Sequence, residues 1–168
     1  MNYFLTEDQL EFQELARQIA EEKIKPVRAK YDEENAFPHE IVEIFRQTDL
    51  YSILVPEEYG GISGKVTDLA IVMEELSRVC GGIALAFGGS GLGMDPILLA
   101  GSEEMKQKWL PMIASGEKLA AFALTEANAG SDAGGLETTA EKNGDNYFLN
   151  GTKQWITGGG EADIYTVF

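Results

Sequence analysis

The sequence predicts an α+β protein, with an N-terminal all-helical bundle domain at residues 1–117 and the beginning of a β-sheet or β-barrel domain at residues 118–168. Two observations predict this division. In the first part, apolar residues recur at the spacing of amphipathic helices. After Gly116, short apolar segments alternate with the hairpin turn signals Asn143-Gly144 and Asn150-Gly151.

A capping box at residues 6–9 predicts the start of the first helix, because the side chains of Thr6 and Gln9 can satisfy each other's backbone N–H groups. We expect this helix to end or kink near Pro26, since proline cannot continue the hydrogen-bond ladder. Its apolar stripe consists of Leu10, Phe12, Leu15, Ala16, Ile19 and Ala20.

Two further helices are predicted before residue 83. Pro38 suits the first turn of the second, whose buried stripe is Ile41, Ile44 and Phe45. The apolar run 51–55 stops at Pro56, and a loop follows. Thr67 or Asp68 is expected to cap the third helix, and Gly81 and Gly82 to end it. The face of this third helix contains Leu69, Val72, Met73, Leu76 and Val79.

Residues 83–100 are small and apolar and carry almost no charge. Gly89, Gly91 and Gly93 lack the G-x-G-x-x-G spacing of a dinucleotide loop, so we predict a buried helical segment. Its glycines allow close approach by a neighbouring element or by a ligand, and both explanations stay open. Ser102 is then expected to cap one more helix, with Pro111 near its end and residues 114–116 closing it.

Five strands are predicted in the second part, at residues 119–124, 138–141, 147–149, 153–157 and 164–168. The last of these reaches the end of the sequence and would leave an exposed sheet edge. We therefore expect that the chain is cut short or that another polypeptide completes the sheet.

The composition excludes several classes of partner. Lys and Arg number 13 and Asp and Glu number 28, for a formal net charge of -15, which disfavours binding to nucleic acid or to an anionic membrane. No apolar stretch is expected to be long enough to span a membrane. The single cysteine, Cys80, forms no internal disulfide, and residues 1–12 lack the features of a signal or transit peptide, so we expect a cytoplasmic protein. Cys80 and the single histidine, His39, make a poor ligand set, so no metal site is expected.

The bend at residues 125–132 has the chemistry of a binding site. Thr125 and Ser131 carry hydroxyls, and Gly130 leaves backbone N–H groups open. Trp155 offers a plane, and strand alternation would place Thr157 on the same face. This combination suits a flat ring such as a flavin. An ordinary hairpin sheet with a glycine-rich turn and a core tryptophan explains the same residues, and both interpretations stay open here.

Two segments, AFALTEANAGSD at residues 121–132 and NGTKQWITGG at residues 150–159, closely resemble the paired signature segments of the acyl-CoA dehydrogenase family. The opening LTEDQLEF, the VPEEYGG loop and the GSEEMKQKWLPMIASGE helix are similar as well, so the resemblance covers the whole chain. One departure is Ala127, where the family usually has proline.

The resemblance implies a set of site residues. FAD contacts are implied for Phe122, Leu124, Thr125, Gly130, Ser131, Trp155, Ile156 and Thr157. In the family the tryptophan packs against the flavin, and the threonine lies near its N5 edge. Acyl-CoA contacts are implied for Ser131, and an acyl pocket for Leu85, Gly88 and Leu92.

The reaction implied by the resemblance is the α,β-dehydrogenation of an acyl-CoA in fatty acid metabolism. A carboxylate removes the α-proton while the β-hydrogen passes as hydride to flavin N5. An electron-transferring flavoprotein is the implied electron acceptor, and a homo-oligomer the implied assembly. The family's catalytic Glu comes from a C-terminal helical domain. Because Glu126, Glu137 and Glu161 do not match it, no catalytic residue is nominated, and we expect an N-terminal portion that is inactive alone.

Other functions fit the same sequence. Acyl-CoA oxidases and flavin-dependent monooxygenases resemble this scaffold, and their products, hydrogen peroxide or a hydroxylated compound, would identify them. A noncatalytic interaction fragment is an alternative of another class, and a partner that co-purifies without flavin would favour it.

Overall fold

The computed structural model describes residues 4–168, and all of its α-helices precede its strands. A short 3-10 turn at Ala133–Gly135 lies between the first and second strands. The helices are α1 (Glu7–Ile19), α2 (Arg28–Glu34), α3 (His39–Gln47), α4 (Val66–Val79), α5 (Gly81–Ala100) and α6 (Glu103–Ala114). The strands are β1 (Ala120–Ala123), β2 (Thr139–Asn143), β3 (Asn146–Asn150) and β4 (Ile164–Val167). This order confirms the predicted α+β class, with helices first and the start of a β region after them.

The first helix begins as predicted. The Gln9 N–H donates to the Thr6 hydroxyl, and the Gln9 side chain accepts from the Thr6 N–H, which completes the capping box. α1 continues as a π-helical turn over Ala20–Ile24, and the chain then turns at Pro26. Helix α2 follows this turn and was not predicted. None of its residues is buried, so it carries no apolar periodicity that would reveal it.

Helices α3 and α4 form with small differences from the prediction. In α3, Val42 is buried along with Ile41 and Phe45, while Ile44 is only half-buried. The expected cap of α4 at Thr67 or Asp68 was wrong, because the helix begins at Val66. The Asp68 carboxylate instead acts from inside the first turn, where it accepts from the backbone N–H of Lys65 at 2.7 Å.

Cys80, in an extended conformation, separates α4 from α5. Gly81 and Gly82 therefore begin α5, and the expectation that they end α4 was wrong in this respect. α5 has 20 residues and is apolar on all sides, so by length and composition alone it could cross a membrane. The expectation that no apolar stretch has that length was wrong. The core helix of a soluble fold has the same composition, and in this fold Ala84 and Phe87 on α5 are fully buried.

The core forms around α5. The Phe87 ring contacts the rings of Phe45 and Tyr51, with centroid distances of 5.8 Å and 5.4 Å. One turn further along the helix, the Ser90 hydroxyl accepts from the backbone N–H of Ala120 at 3.3 Å. This hydrogen bond holds β1 directly against the central helix of the bundle, and the candidate binding segment begins where β1 ends.

The strands pair in two separate sheets. β1 and β4 are parallel, with Ala120 opposite Ile164. β2 and β3 form an antiparallel hairpin around the predicted turn at Gly144, whose φ of 62° is the left-handed conformation that glycine favours. The strand predicted at residues 153–157 is absent, so that prediction was wrong. Trp155 there has a φ of 59°, which interrupts an extended run.

Candidate functional site

Two segments that are distant in sequence meet at the end of β1. The bend after β1 contains Leu124 and Thr125, and the irregular segment 153–157 lies beside it. The Gln154 N–H donates to the Thr125 carbonyl at 2.8 Å, and Lys153 Nζ donates to the Leu124 carbonyl at 2.8 Å. The structure thus brings the two motif segments together, although one of them is not a strand.

The bend is a tight turn held by its own backbone. Glu126 and Ala129 exchange both backbone hydrogen bonds, at 3.0 Å and 3.2 Å. Ala127 is exposed at the tip, so the turn keeps these bonds without a proline there. After the turn, Gly130 and Ser131 are exposed, and a Cβ at Gly130 would meet no atom within 4 Å. The backbone at Gly130 is therefore open to a ligand.

The Glu126 side chain is buried behind the bend, with 8% of the residue exposed. Its carboxylate accepts from the N–H groups of Glu137 (2.7 Å) and Thr138 (3.0 Å), from the Thr138 hydroxyl, and from Lys153 Nζ (2.7 Å). The hydrogen bond from Lys153, followed by that from the Thr138 hydroxyl, lowers the pKa of Glu126 to about 2. Its carboxylate is thus ionised at neutral pH and already surrounded by donors.

Sequence reasoning considered Glu126 only as a base and did not single out Lys153. A signal was present, since the first motif contains the carboxylates of Glu126 and Asp132 and the second contains one cation, Lys153. Their pairing depends on a contact across 27 positions, which no local pattern reveals.

The Trp155 side chain is exposed to solvent, with 87% of the residue accessible. Its left-handed backbone conformation is uncommon for a residue with a side chain. Because the segment is not a strand, the alternation expected to place Trp155 and Thr157 on one face does not occur. Thr157 lies against α5, where a Cβ on Gly89 would be 2.8 Å from Thr157 Cγ2. Trp155 therefore offers a free aromatic plane, and the Thr157 methyl group contacts the helical bundle at Gly89.

Three hydroxyl groups of the two motif segments have no internal partner. Among residues 4–168, the side chains of Thr125, Ser131 and Thr157 form no hydrogen bond with another residue. Each can therefore donate to and accept from a bound molecule. The remaining predicted contacts, Phe122, Leu124 and Ile156, are half-buried, and the Phe122 ring packs on that of Phe168 at 4.8 Å between centroids.

The predicted acyl-pocket residues lie on one stripe of α5 but line two cavities. Leu85 and Thr157 line a cavity of about 330 Å³ together with residues of the α2–α3 region. Gly88 and Leu92 line a second one of about 280 Å³. Leu85 and Leu92 are each about half exposed, and Gly88 lies next to the Met73 sulfur. In the described chain, only the Leu85 end of this stripe therefore shares a cavity with Thr157.

The chain matches two family models. The model of the acyl-CoA dehydrogenase N-terminal domain matches residues 6–117, and the model of the acyl-CoA dehydrogenase middle domain matches residues 121–168. The family resemblance inferred from the motifs is thereby confirmed.

Two curated relatives show the same similarity. A short-chain specific acyl-CoA dehydrogenase of Clostridium acetobutylicum is 42% identical over 170 residues, a match that includes 100% of this chain and 45% of the relative. A 3-(aryl)acrylate reductase of Clostridium sporogenes is 44% identical over 167 residues, which are 98% of this chain and 44% of the relative. The chain thus spans less than half the length of these relatives.

Solved structures have the same fold. A chain from the structural work on the electron transferring flavoprotein of Acidaminococcus fermentans has a TM-score of 0.94 and 39% identity, covering 99% of this chain and 44% of that one. An acyl-CoA dehydrogenase from Bacillus anthracis, complexed with FAD, has a TM-score of 0.88 and 38% identity, covering 97% of this chain and 28% of its own.

Proposed function

The chain belongs to the acyl-CoA dehydrogenase family, and from this membership we propose that the protein catalyses the FAD-dependent α,β-dehydrogenation of an acyl-CoA thioester. One observation carries the proposal. The hydrogen bond from Gln154 to Thr125 joins the two motif segments, and it places the exposed Trp155 one residue from the junction. A free aromatic plane next to unpaired hydroxyls is the chemistry that a flavin ring requires.

The residues present fit FAD. Trp155 supplies an open plane for a flat ring, and the hydroxyls of Thr125, Ser131 and Thr157 are free to bond its polar edge. The exposed backbone at Gly130 gives close access to the polar parts of the molecule. When bound, FAD supplies the hydride acceptor for the reaction. We propose that this site consists of Phe122, Leu124, Thr125, Gly130, Ser131, Trp155, Ile156 and Thr157.

We propose that the acyl-CoA substrate lies along the Leu85 stripe of α5. Leu85 shares a cavity with Thr157, so an acyl chain on this helix face would lie next to the flavin-binding segment. Gly88 and Leu92 extend the same stripe, and Ser131 is exposed at the bend. Glu126 is unsuited to removing the α-proton, because donors surround its carboxylate and its pKa is about 2.

Two assembly properties belong to the same proposal. An electron-transferring flavoprotein is the proposed electron acceptor, in keeping with the similarity to a chain from structural work on such a flavoprotein. A homo-oligomer is the proposed state. The β2–β3 hairpin supports this, because its residues Tyr147, Phe148 and Leu149 are each about 60% exposed and large apolar side chains of this kind are typical of interfaces.

The test is anaerobic titration of protein expressed from its complete gene. We expect visible flavin absorption after purification or after reconstitution with FAD, and loss of that band on addition of butyryl-CoA. Transfer of the electrons to a flavoprotein acceptor, with little hydrogen peroxide formed in air, distinguishes a dehydrogenase from an oxidase. Protein that binds no FAD under these conditions would contradict the proposal.

A further inference from the structure

Glu126 and Lys153 connect the two segments proposed to bind FAD, and neither belongs to the set of proposed FAD contacts. We propose that they form a positioning clasp, which holds the bend at residues 124–131 and the segment at residues 153–157 in the arrangement that the flavin requires. The role rests on the proposed function, because it concerns the same site. Neither residue is proposed to touch the reacting atoms.

The clasp consists of bonds that cross between the segments. Lys153 Nζ lies 2.7 Å from the Glu126 carboxylate and 2.8 Å from the Leu124 carbonyl. The adjacent Gln154 N–H reaches the Thr125 carbonyl at 2.8 Å. Three consecutive residues of the bend are thus tied to two consecutive residues of the second segment. Trp155 follows directly, so its position depends on these bonds.

The clasp also includes the residues that lead into β2. Glu126 Oε2 accepts from the Glu137 N–H at 2.7 Å, and Glu126 Oε1 accepts from the Thr138 N–H at 3.0 Å. From its place in the bend, the Glu126 side chain thus bonds both the strand entry and the second segment. Substitution of Glu126 would remove these bonds, while the bonds from Lys153 to Leu124 and from Gln154 to Thr125 would remain.

The burial of the pair supports a role in setting geometry as well as in stability. The Lys153 and Glu126 side chains are only 11% and 8% exposed. Removing two charges from water is costly, and the attraction between them regains that cost only with good geometry and additional hydrogen bonds. Both conditions are met here. A buried, fully bonded pair of this kind fixes the relative position of the segments that carry it.

A second ion pair provides a matched control. Arg17 on α1 donates to the Glu75 carboxylate on α4 at 2.7 Å and 3.2 Å, and the Glu75 side chain is also 8% exposed. Loss of Arg17 would leave the buried Glu75 carboxylate without its closest partner, although Arg78 Nε remains 3.4 Å away. Loss of Lys153 would likewise remove the cation that bonds Glu126. The two pairs differ in location, since Arg17 and Glu75 link two helices and contact neither FAD segment.

The experiment compares four proteins expressed from the complete gene: the wild type, Lys153→Met, Arg17→Met, and the double variant Glu126→Gln with Lys153→Met. FAD affinity is measured by fluorescence titration of flavin-free protein, and stability by thermal unfolding of the same samples. Amide hydrogen exchange at Gln154 is measured without FAD. This last measurement reports on the clasp whether or not FAD binds.

We expect Lys153→Met to weaken FAD binding by about tenfold or more, as for the loss of strongly coupled contacts, and to speed exchange at Gln154. The double variant should regain stability, because no lone buried charge remains, yet still bind FAD weakly, because the bond to Leu124 stays absent. Arg17→Met should lose stability but keep its FAD affinity within about twofold, since it removes no contact of the FAD segments.

Two results would overturn the clasp. One is FAD affinity that follows thermal stability across all variants, Arg17→Met included, which would mean a general structural role. The other is unchanged Gln154 exchange in Lys153→Met. If the wild type itself binds no FAD, the proposed function fails, and the exchange rate alone then decides whether Lys153 holds the two segments together.

Discussion

Gly93 of α5 and Ala121 of β1 are in backbone contact: a Cβ placed on Gly93 would lie 2.5 Å from the Ala121 nitrogen. Only glycine fits such a contact, because the obstructing atoms belong to the main chain and cannot rotate away. The contact sets how closely the strand that leads into the FAD bend approaches the central helix. The structure thus explains one glycine of the 83–100 segment by a neighbouring element.

Gly93→Ala should destabilise the protein. The new methyl group must push β1 from α5, and overpacking of this kind costs about 1–3 kcal/mol. Urea unfolding of both proteins measures the difference. Gly82→Ala in the first turn of the same helix is the matched control, because a Cβ there meets no atom within 4 Å. That control should be neutral or slightly more stable, since alanine favours helix. Equal effects of the two substitutions would contradict the backbone contact.

Gly89→Ala should weaken FAD binding while the fold survives. Its Cβ would lie 2.8 Å from Thr157 Cγ2, so the second FAD segment must shift. Adding Thr157→Ser should restore binding, because serine keeps the hydroxyl and lacks that methyl group. FAD titration of the single and double variants checks this prediction. A double variant that binds no better than Gly89→Ala would show that the methyl contact is irrelevant.

Trp155→Gly should change stability and binding in opposite directions. The left-handed backbone at φ 59° is unfavourable for tryptophan and accessible to glycine. The flavin-free variant should therefore be at least as stable as the wild type, while FAD binding falls about tenfold or more through loss of the stacking plane. Trp109→Phe on α6 serves as the control and should leave FAD affinity unchanged. A less stable Trp155→Gly protein, or one that binds FAD normally, would contradict this account.

Acidification should release the clasp in a defined pH range. Hydrogen bonds from Lys153 and Thr138 lower the pKa of Glu126 from 4.5 to about 2. A carboxyl whose folded pKa is depressed adds stability that is fully present above its unfolded pKa and is lost as pH falls toward the folded one. The stability difference between wild type and Glu126→Gln should therefore be constant above about pH 5 and shrink between about pH 4.5 and 2.

Urea unfolding at a series of pH values tests this prediction. Glu74→Gln is the control, since Glu74 is exposed and forms no ion pair within residues 4–168. Its difference from wild type should stay small and nearly flat over the same range. A Glu126→Gln difference that does not change below pH 4.5 would show that Lys153 does not hold Glu126 ionised.

Features that depend only on residues close together in the sequence could be predicted from it. The capping box at Thr6, the Ser102 cap of α6 and the turn at Gly144 all formed where local hydrogen-bonding rules place them. Helix α2 was missed because it is short and buries no residue, so no apolar pattern marks it. Which residues bind FAD stays a prediction from the family motifs.

The wrong prediction of a strand at residues 153–157 has a different cause. Trp155, Ile156 and Thr157 are residue types that favour strands, but Lys153 reaches Glu126 and Leu124, 27 and 29 positions earlier in the chain. Two residues after Lys153, Trp155 has the left-handed conformation. A pattern read over five residues contains no information about it. The clasp was missed for the same reason.

The two sheets differ in how far apart their paired strands lie along the chain. This separation affects the order in which the protein folds. β2 and β3 are joined by a two-residue turn, so they can pair within microseconds once both exist. β1 cannot pair until β4 reaches it, because Ala120 pairs with Ile164 and more than forty residues separate the two. Closing so long a loop is slow, since its entropy is lost before the pairing is gained. The bend that is proposed to bind FAD follows β1 directly. It would therefore acquire its final shape late in folding, after the helices and the hairpin.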